Sequence, residues 1–392
     1  MKWPTLALED LATVQRGKFS ARPRNDPKYY GGDIPFIQTG DVANSAGRVR
    51  SYSQTLNPNG LSVSKLFPKG SLVVTIAANI GDVAKVEFDF ACPDSLVVVQ
   101  ANEDVNNDWL QYSLESKKEL LDSLAPQNAQ KNINLEVLRP LAFDVPPIGE
   151  QQRIAGAINA WNTAIEKTER LIAAKNILLK AIEHQLLTER KRFPGFSRSW
   201  GLLRADKIFE NVSLKGFGSE PLLSVTQNQG VVPRDMLNGR VTMPSGETTA
   251  FKLVEPGNFV ISLRSFQGGL EHSDYRGVVS PAYTVLRATR EIDVRFFRYY
   301  FRSADFIKRL SVAVIGIRDG KQVSFQDFCS LKIPFPPVAE QKAIALMLDE
   351  AEREISTLGA YVEKLTEQKR GLMQKLLTGQ WRVPEQSNEV AA

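Results

Sequence analysis

The sequence predicts an α+β fold: two mixed α/β domains in tandem, separated by a pair of long helices forming an antiparallel coiled coil with pseudo-two-fold symmetry. Three features predict it. The 392-residue chain repeats itself, because Pro146-Pro147-Ile148-Gly149-Glu150-Gln151 recurs 190 residues on as Pro336-Pro337-Val338-Ala339-Glu340-Gln341. A heptad seam follows each of these junctions. The stretch before each junction holds short apolar runs broken by Pro, Gly and Asn, which read as strands and turns.

The first domain is expected over residues 1–147, with strands at Ile34–Gln38, Leu72–Ile76 and Leu96–Val99. Trp109–Ser123 has the spacing of one amphipathic helix. Asn57-Pro58-Asn59 reads as a turn. Phe143–Val145 is a strand that Pro146 ends, since proline cannot donate to a ladder. Proline is acceptable at a helix start, and Glu150 suits the positive end of the helix dipole.

The first long helix is placed over 148–192. Ile154, Ile158, Trp161, Ile165, Thr168, Ile172, Lys175, Leu179, Ile182 and Leu186 alternate steps of four and three. Arg190–Gly195 is a stop and linker. The second domain, 195–337, repeats the first, with strands at Phe259–Leu263, Tyr283–Leu286 and Ile333–Phe335 and a helix at Val294–Arg309. Its aromatic run Phe296, Phe297, Tyr299, Tyr300 and Phe301 reads as core packing rather than base stacking.

The second long helix, 338–380, carries the seam Ile344, Leu348, Ala351, Ile355, Leu358, Val362, Leu365, Lys369, Leu372 and Leu376. Residues 381–392 form a tail expected to lack structure. Each helix, at about 1.5 Å per residue, is close to 60 Å long, and the nearest cover for its seam is the other copy. Thr168, Lys175 and Lys369 interrupt the seams. They either fix register or pack their stems while the polar ends reach solvent, and the second needs less special geometry.

Composition narrows the function. A net charge of +5 permits nucleic-acid binding without requiring it. Cys92 and Cys329 form neither a metal-ligand spacing nor a disulfide framework, which fits a reducing cytoplasm. No apolar run is long enough to span a membrane. No phosphate loop is present, and His184 and His272 are too few for a His-rich metal site; each reads as polar surface. Lys215-Gly216-Phe217-Gly218 does not open a helix that could cradle a phosphate.

A duplicated domain, each copy ended by Pro-Pro-x-x-Glu-Gln and a long helix, resembles the specificity subunit of type I restriction–modification enzymes. The likeness runs from Trp3 to about Pro384 and includes Ile34-Pro35-Phe36-Ile37-Gln38-Thr39-Gly40-Asp41. In the second domain Leu222–Thr226 replaces the Ile37–Asp41 region. The resemblance implies a subunit without an active site or cofactor of its own. It implies two target-recognition domains, each binding one half of a split double-stranded DNA target. Two methyltransferase subunits would dock on it and bring S-adenosylmethionine for adenine-N6 methylation. Motor-nuclease subunits would bring ATP and magnesium for restriction. The alternative is a coiled-coil adaptor or scaffold that does not bind DNA.

Base readout needs Arg, Lys, Asn and Gln near a groove, and phosphates need basic groups. In the first domain the candidates are Lys18, Arg22, Arg24 and Lys28 in a basic loop; Gln38, Thr39 and Asp41 at a strand end; Asn79; and Gln127, Lys131 and Asn132 in a polar loop. In the second they are Lys215, Thr226, Asn228 and Arg234, then Arg264, Ser265 and Gln267, and Arg318, Lys321 and Gln322.

Overall fold

A computed structural model describes residues 3–77, 79–125, 131–227, 229–237, 248–262, 265, 269–314 and 323–384. The chain divides into two units. One comprises Met1–Thr168 with Tyr361–Ala392, and the other Glu169–Ala360. Each unit therefore holds one globular domain and a segment of both long helices.

In the first unit the central sheet has five strands, in the order Ala12–Arg16, Leu96–Ala101, Leu72–Thr75, Val83–Val86 and Arg48–Val49. Neighbours are antiparallel except the last pair. Leu72–Thr75 is buried at every position because both faces of the sheet are covered. Alternate side chains enter different cores. Leu72, Val74, Val97 and Val99 join Trp109, Leu110 and Ile154 on one face. Val73, Leu96 and Val98 join Ile37, Phe67 and Phe90 on the other. A second sheet orders Gln54–Leu56, Tyr30–Phe36, Phe90–Ala91 and Leu66–Phe67. Thr5–Ala7 pairs antiparallel with Ala142–Asp144, which ties the start of the domain to the strand that enters the long helix.

The second unit repeats the central sheet with four strands, Phe209–Val212, Thr284–Ala288, Phe259–Ile261 and Glu271–His272. Gly201–Arg204 pairs with Lys332–Phe335 as the corresponding ribbon. Its outer layer differs from that of the first. It is built from the hairpin Leu223–Thr226/Gly230–Pro233 and the pair Lys252–Val254/Gly277–Val279. Phe296, Phe297, Tyr300 and Phe301 are fully buried and Tyr299 is 6% exposed, so the aromatic run is core.

The single helix expected after each central sheet is broken in two. Asn107–Glu115 precedes Lys118–Leu124, and Val294–Arg302 precedes Ala304–Val314. At each break a serine hydroxyl turns back onto the helix: Ser116 Oγ donates to Ser113 O, and Ser303 Oγ to Tyr300 O. Such local bonds compete with helix continuation.

The long helices span Ile148–Leu187 and Val338–Leu377. Each starts where proline carbonyls accept the first free amides. Pro147 O takes the N–H groups of Glu150 and Gln151, and Pro337 O those of Glu340 and Gln341. Each ends before its expected limit, with a left-handed residue two positions on. These are Glu189 at φ 61° and Gly379 at φ 69°. Lys191 N–H then reaches Gln185 O, and Trp381 N–H reaches Lys375 O, closing the last turn. Trp381 and Arg382 thus belong to the folded part rather than to a tail; residues 385–392 lie outside the described ones.

Within each unit the two helix segments run antiparallel. In the second, Lys175 pairs with Glu354 at 2.7 Å, while Leu186, later in the chain, shares a core with the earlier Ile344 and Leu348. In the first, Ile154 and Ile158 share a core with Leu376 and Leu372. Two of the three seam interruptions have partners: Thr168 Oγ donates to Ala164 O on its own helix, and Lys175 meets Glu354 on the other. Among the described residues no helix is long and apolar enough to cross a membrane.

Candidate nucleic-acid interface

The basic loop of the first domain is held by aromatic anchors. Phe19 and Ala21 are buried while Lys18, Ser20 and Arg22 between and beside them are exposed, an alternation that turns both cations outward. Phe19 packs on Phe36 at 4.9 Å and meets Tyr29 edge-on at 6.0 Å. Tyr30 donates its hydroxyl to Arg24 O at 2.5 Å. Arg24 forms a forked pair with Asp94, both N···O distances 2.9 Å. Lys28 pairs with Asp26 at 3.0 Å and lies 4.9 Å from the Tyr29 ring centroid. Lys18 and Arg22 are therefore the outward cations, and Arg24 and Lys28 hold the loop.

Gln38, Thr39 and Asp41 lie at the start of the short helix Thr39–Ala43, not at the end of a strand. Asp41 accepts the Gln38 N–H at 2.8 Å and the Ser53 hydroxyl at 3.2 Å, so its carboxylate caps the helix. Gln38 Nε2 donates to Gln54 at 3.1 Å. A third cluster forms where Ala77 bridges Asn132 and Ile133 N–H bonds Ile76 O at 3.0 Å. This brings exposed Asn132 and Lys131 to the turn that carries exposed Asn79. Lys131 also reaches Asp122 at 3.4 Å.

In the second domain Thr226 closes the hairpin turn, accepting Gln229 N–H at 3.0 Å and donating to Gly230 O at 2.9 Å. Arg234 N–H bonds Leu222 O where the hairpin ends. Lys215 is exposed, on the segment whose Gly216 N–H bonds Thr249 O. Ser265 is 1% exposed and accepts Ser262 N–H at 2.8 Å, so it shapes its loop and does not face outward. Gln127, Asn228, Arg264, Gln267, Arg318, Lys321 and Gln322 lie outside the described residues.

A family model described as the type I restriction modification DNA specificity domain matches residues 1–175. The putative type I restriction enzyme MjaX specificity subunit of Methanocaldococcus jannaschii is 24% identical, over 97% of this chain and 94% of its own length. The S subunit of the M. genitalium type I restriction–modification system superposes with a TM-score of 0.53 at 16% identity, covering 96% of both chains. A chain from a type I system, described for its complex assembly and conformational transition, superposes with a TM-score of 0.64. It is 16% identical and covers 97% of this chain and 98% of its own.

The chain resembles the type I specificity subunits.

The Pro-Pro-x-x-Glu-Gln junction makes the same contacts in both copies. Gln151 accepts Asn106 N–H at 2.8 Å and donates to Pro146 O at 2.9 Å. Gln341 does the same with Asp293 N–H and Pro336 O, at 2.8 and 2.9 Å. Glu150 takes Trp3 Nε1 at 3.2 Å and Arg382 at 2.8 Å. Glu340 takes Trp200 Nε1 at 2.9 Å and Arg192 at 2.7 Å. Each glutamate thus gathers a tryptophan from the domain's first segment and an arginine from just past a long helix.

A second clasp lies further along each helix. Tyr112 donates to Asn159 at 2.5 Å, and Tyr299 to Asp349 at 2.9 Å. Burial disfavours the Asp108 carboxylate beside the first clasp, but bonds from Lys85 and Asn159 hold its pKa below the usual carboxylate range. Burial pushes the Tyr112 hydroxyl up to about 12, so it stays a donor.

Sequence reasoning missed three positions in these two domains. Lys65 is exposed, donates to Gln15 Oε1, and follows Ser64, which bridges Phe19 and whose hydroxyl bonds Lys18 O. It joins Lys18 and Arg22, which lie about 45 residues away in sequence, through a contact that no local pattern announces. Glu271 is 3% exposed, and among the described residues neither carboxylate oxygen has a hydrogen-bond partner. Burial pushes its pKa up to about 7, with Arg302 pulling the other way. His272, expected on the polar surface, has an 8% exposed side chain with its ring centroid 5.4 Å from that of Phe259. Burial lowers its pKa against the opposing charge of Asp274. Both sit beside the Thr226 turn, where a Cβ on Gly230 would lie 2.6 Å from His272 O. Arg302 donates to Gln227 O in that turn at 3.2 Å.

Proposed function

We propose that the chain is the non-catalytic DNA-recognition subunit of a type I restriction–modification complex. Each globular domain reads one half of a bipartite double-stranded target. The paired helices set the gap between half-sites, read as a length and not as a sequence. The same helices dock two methyltransferase subunits, which supply S-adenosylmethionine and adenine-N6 methylation. Motor-nuclease subunits supply ATP-driven restriction.

The observation that carries this reading is the contrast between the copies. The Glu–Gln junction and the tyrosine clasp recur at equivalent places, as a scaffold used twice requires. The outer layers and their polar side chains differ, as two readers of different half-sites require. On this reading Lys18, Arg22 and Lys65 of the first domain meet phosphates, and Asn79, Lys131 and Asn132 meet base edges or phosphates.

The test is DNA binding by the chain assembled with its methyltransferase subunit, followed across a salt series. Phosphate contacts make affinity fall steeply with salt. A Lys18→Ala/Arg22→Ala variant is expected to flatten the salt slope by about 2. Salt-independent binding, or none, would favour the adaptor reading.

A further inference from the structure

The register between the copies can be fixed from contacts. Asn106 and Asp293 present their N–H groups to the junction glutamines Gln151 and Gln341. Seven residues before them, Val99 pairs with Leu72 in the first central sheet, and Leu286 with Phe259 in the second. On the next strand Lys85 pairs with Leu72, and His272 with Phe259. Glu271 therefore stands where the first copy has Ala84. By the same count Arg302 ends its helix where Glu115 ends the helix of the first copy.

Both exchanges concern charge. Ala84 and Glu271 are alike buried, on the sheet face that carries the outer layer. Ala84 packs with Val73 and Val98, while Glu271 pairs across the strands with Val260, which shares a core with Val231 of the hairpin. The first copy thus has an alanine and an acid at the two places, and the second an acid and a base. Arg302 favours the charged form of Glu271 and also donates to Gln227 O of the Thr226 turn at 3.2 Å. That turn leans on the strand of Glu271. A Cβ on Gly230 would lie 2.6 Å from His272 O, and Val231 bridges Ser273. Among the described residues neither Glu271 oxygen is hydrogen-bonded, which is rare for a buried polar group. The other charged groups around the pair are Glu183 of the first long helix, which faces Arg302, and Arg298 and Asp274, which face His272. Burial disfavours the His272 cation. The strand Phe259–Ile261 and the two hairpin strands bring no titratable side chain.

We propose that Glu271 and Arg302 are a positioning pair for recognition by the second domain: with Glu271 protonated, Arg302 braces the Thr226 turn, and with Glu271 ionised, the guanidinium is drawn inward and off Gln227 O. The pair rests on the reading that the second domain recognises one half of a DNA target. A buried carboxylate without a hydrogen bond is costly, and a nearby guanidinium is the group that relieves it. The bond to Gln227 O is at the long end for an N–H···O contact and yields first. Burial pushes the Glu271 pKa up to about 7, so the exchange falls near neutral pH. The first domain, with Ala84 and Glu115 at these places, has no such exchange.

The test uses the chain assembled with its methyltransferase subunit, titrated with target DNA and with duplexes altered in one half, at about pH 6 and about pH 8. The second domain's half is the one that Lys18→Ala/Arg22→Ala/Asn132→Ala leaves unchanged. Discrimination at that half is expected to be about fivefold or more greater at the lower pH, and discrimination at the other half equal at both. Glu271→Gln, neutral throughout, is expected to keep the greater discrimination at both pH values. Should that variant not fold, Glu271→Ala, the residue of the first copy, carries the same expectation. Hydrogen exchange of the same complex without DNA, corrected for intrinsic rates, reads the turn directly. The Gln229 N–H, bonded to Thr226 Oγ1, is expected to lose protection at the higher pH in the wild type and not in Glu271→Gln. The proposal is overturned if wild-type protection and discrimination are the same at both pH values, or if Glu271→Gln keeps the pH dependence. Protection that changes with pH while discrimination at neither half does upholds the hold on the turn and overturns the turn's part in recognition.

Discussion

Two buried carboxylates separate what a sequence shows at the residue scale from what only packing shows. Glu340 sits in a motif that repeats, and its role could be anticipated from Glu150. It is 0% exposed at the side chain and relies on Arg192, itself 15% exposed. Removing Arg192 leaves the buried Glu340 carboxylate with only the Trp200 indole N–H, so Arg192→Ala should destabilise the second unit clearly. Arg382, at 44% exposed, faces a more accessible Glu150, and its alanine variant should cost about 1 kcal/mol or less. Denaturant unfolding of the two variants, followed through the nearby tryptophans, checks the order. Glu271 had no such signal. It lies in an unremarkable Leu270-Glu271-His272 run, and nothing local says that its strand is covered on both sides. Its carboxyl ionises near 4.5 in the unfolded chain and near 7 in place, so the folded state holds the proton more tightly. Stability should therefore fall as pH rises from about 4.5 to about 7 and be level above. Glu271→Gln should remove that slope and raise the melting temperature at pH 8 but not at pH 4.5. A slope unchanged in the variant would show that the proton resides elsewhere.

Among the elements, the long helices, their junctions and the main strands were legible because their signals are periodic or repeated. The helix breaks at Ser116 and Ser303 were not, because the apolar spacing runs on across each break while a single serine back-bond redirects the chain. The helix ends were misplaced for a related reason: charged residues continue past Leu187, and the stop depends on one left-handed residue. At Gly379 that conformation comes without strain, and a Cβ would meet the Trp3 ring at 3.2 Å. Gly379→Ala should destabilise the first unit by about 1–2 kcal/mol, measured by thermal unfolding. At Glu189 the strained residue is retained with its carboxylate accepting Trp200 N–H at 3.0 Å and lying 3.4 Å from Arg192. The candidate interface was half legible. Residue type alone put Lys18 and Arg22 on a surface and equally suggested Asp41 and Ser265, which folding uses as a helix cap and a loop brace. Lys65 joined the basic group only through the Phe19–Ser64 bridge.

For the whole molecule, duplication makes the central claim testable. If each domain reads its own half-site, damage to one reader should be confined to one half of the target. If the helices set the gap, inserting four residues into both should shift the preferred spacer and leave the half-sites unchanged; a retained spacer preference would remove the ruler role. The most direct measurement is a map of methylated adenines in cells carrying the assembled complex, with the wild-type chain and with Lys18→Ala/Arg22→Ala/Asn132→Ala. The account predicts a bipartite motif for the wild type. For the variant it predicts loss or relaxation of one half, with the other half and the spacer unchanged. Relaxation of both halves together, or an unaltered motif at full occupancy, would contradict it.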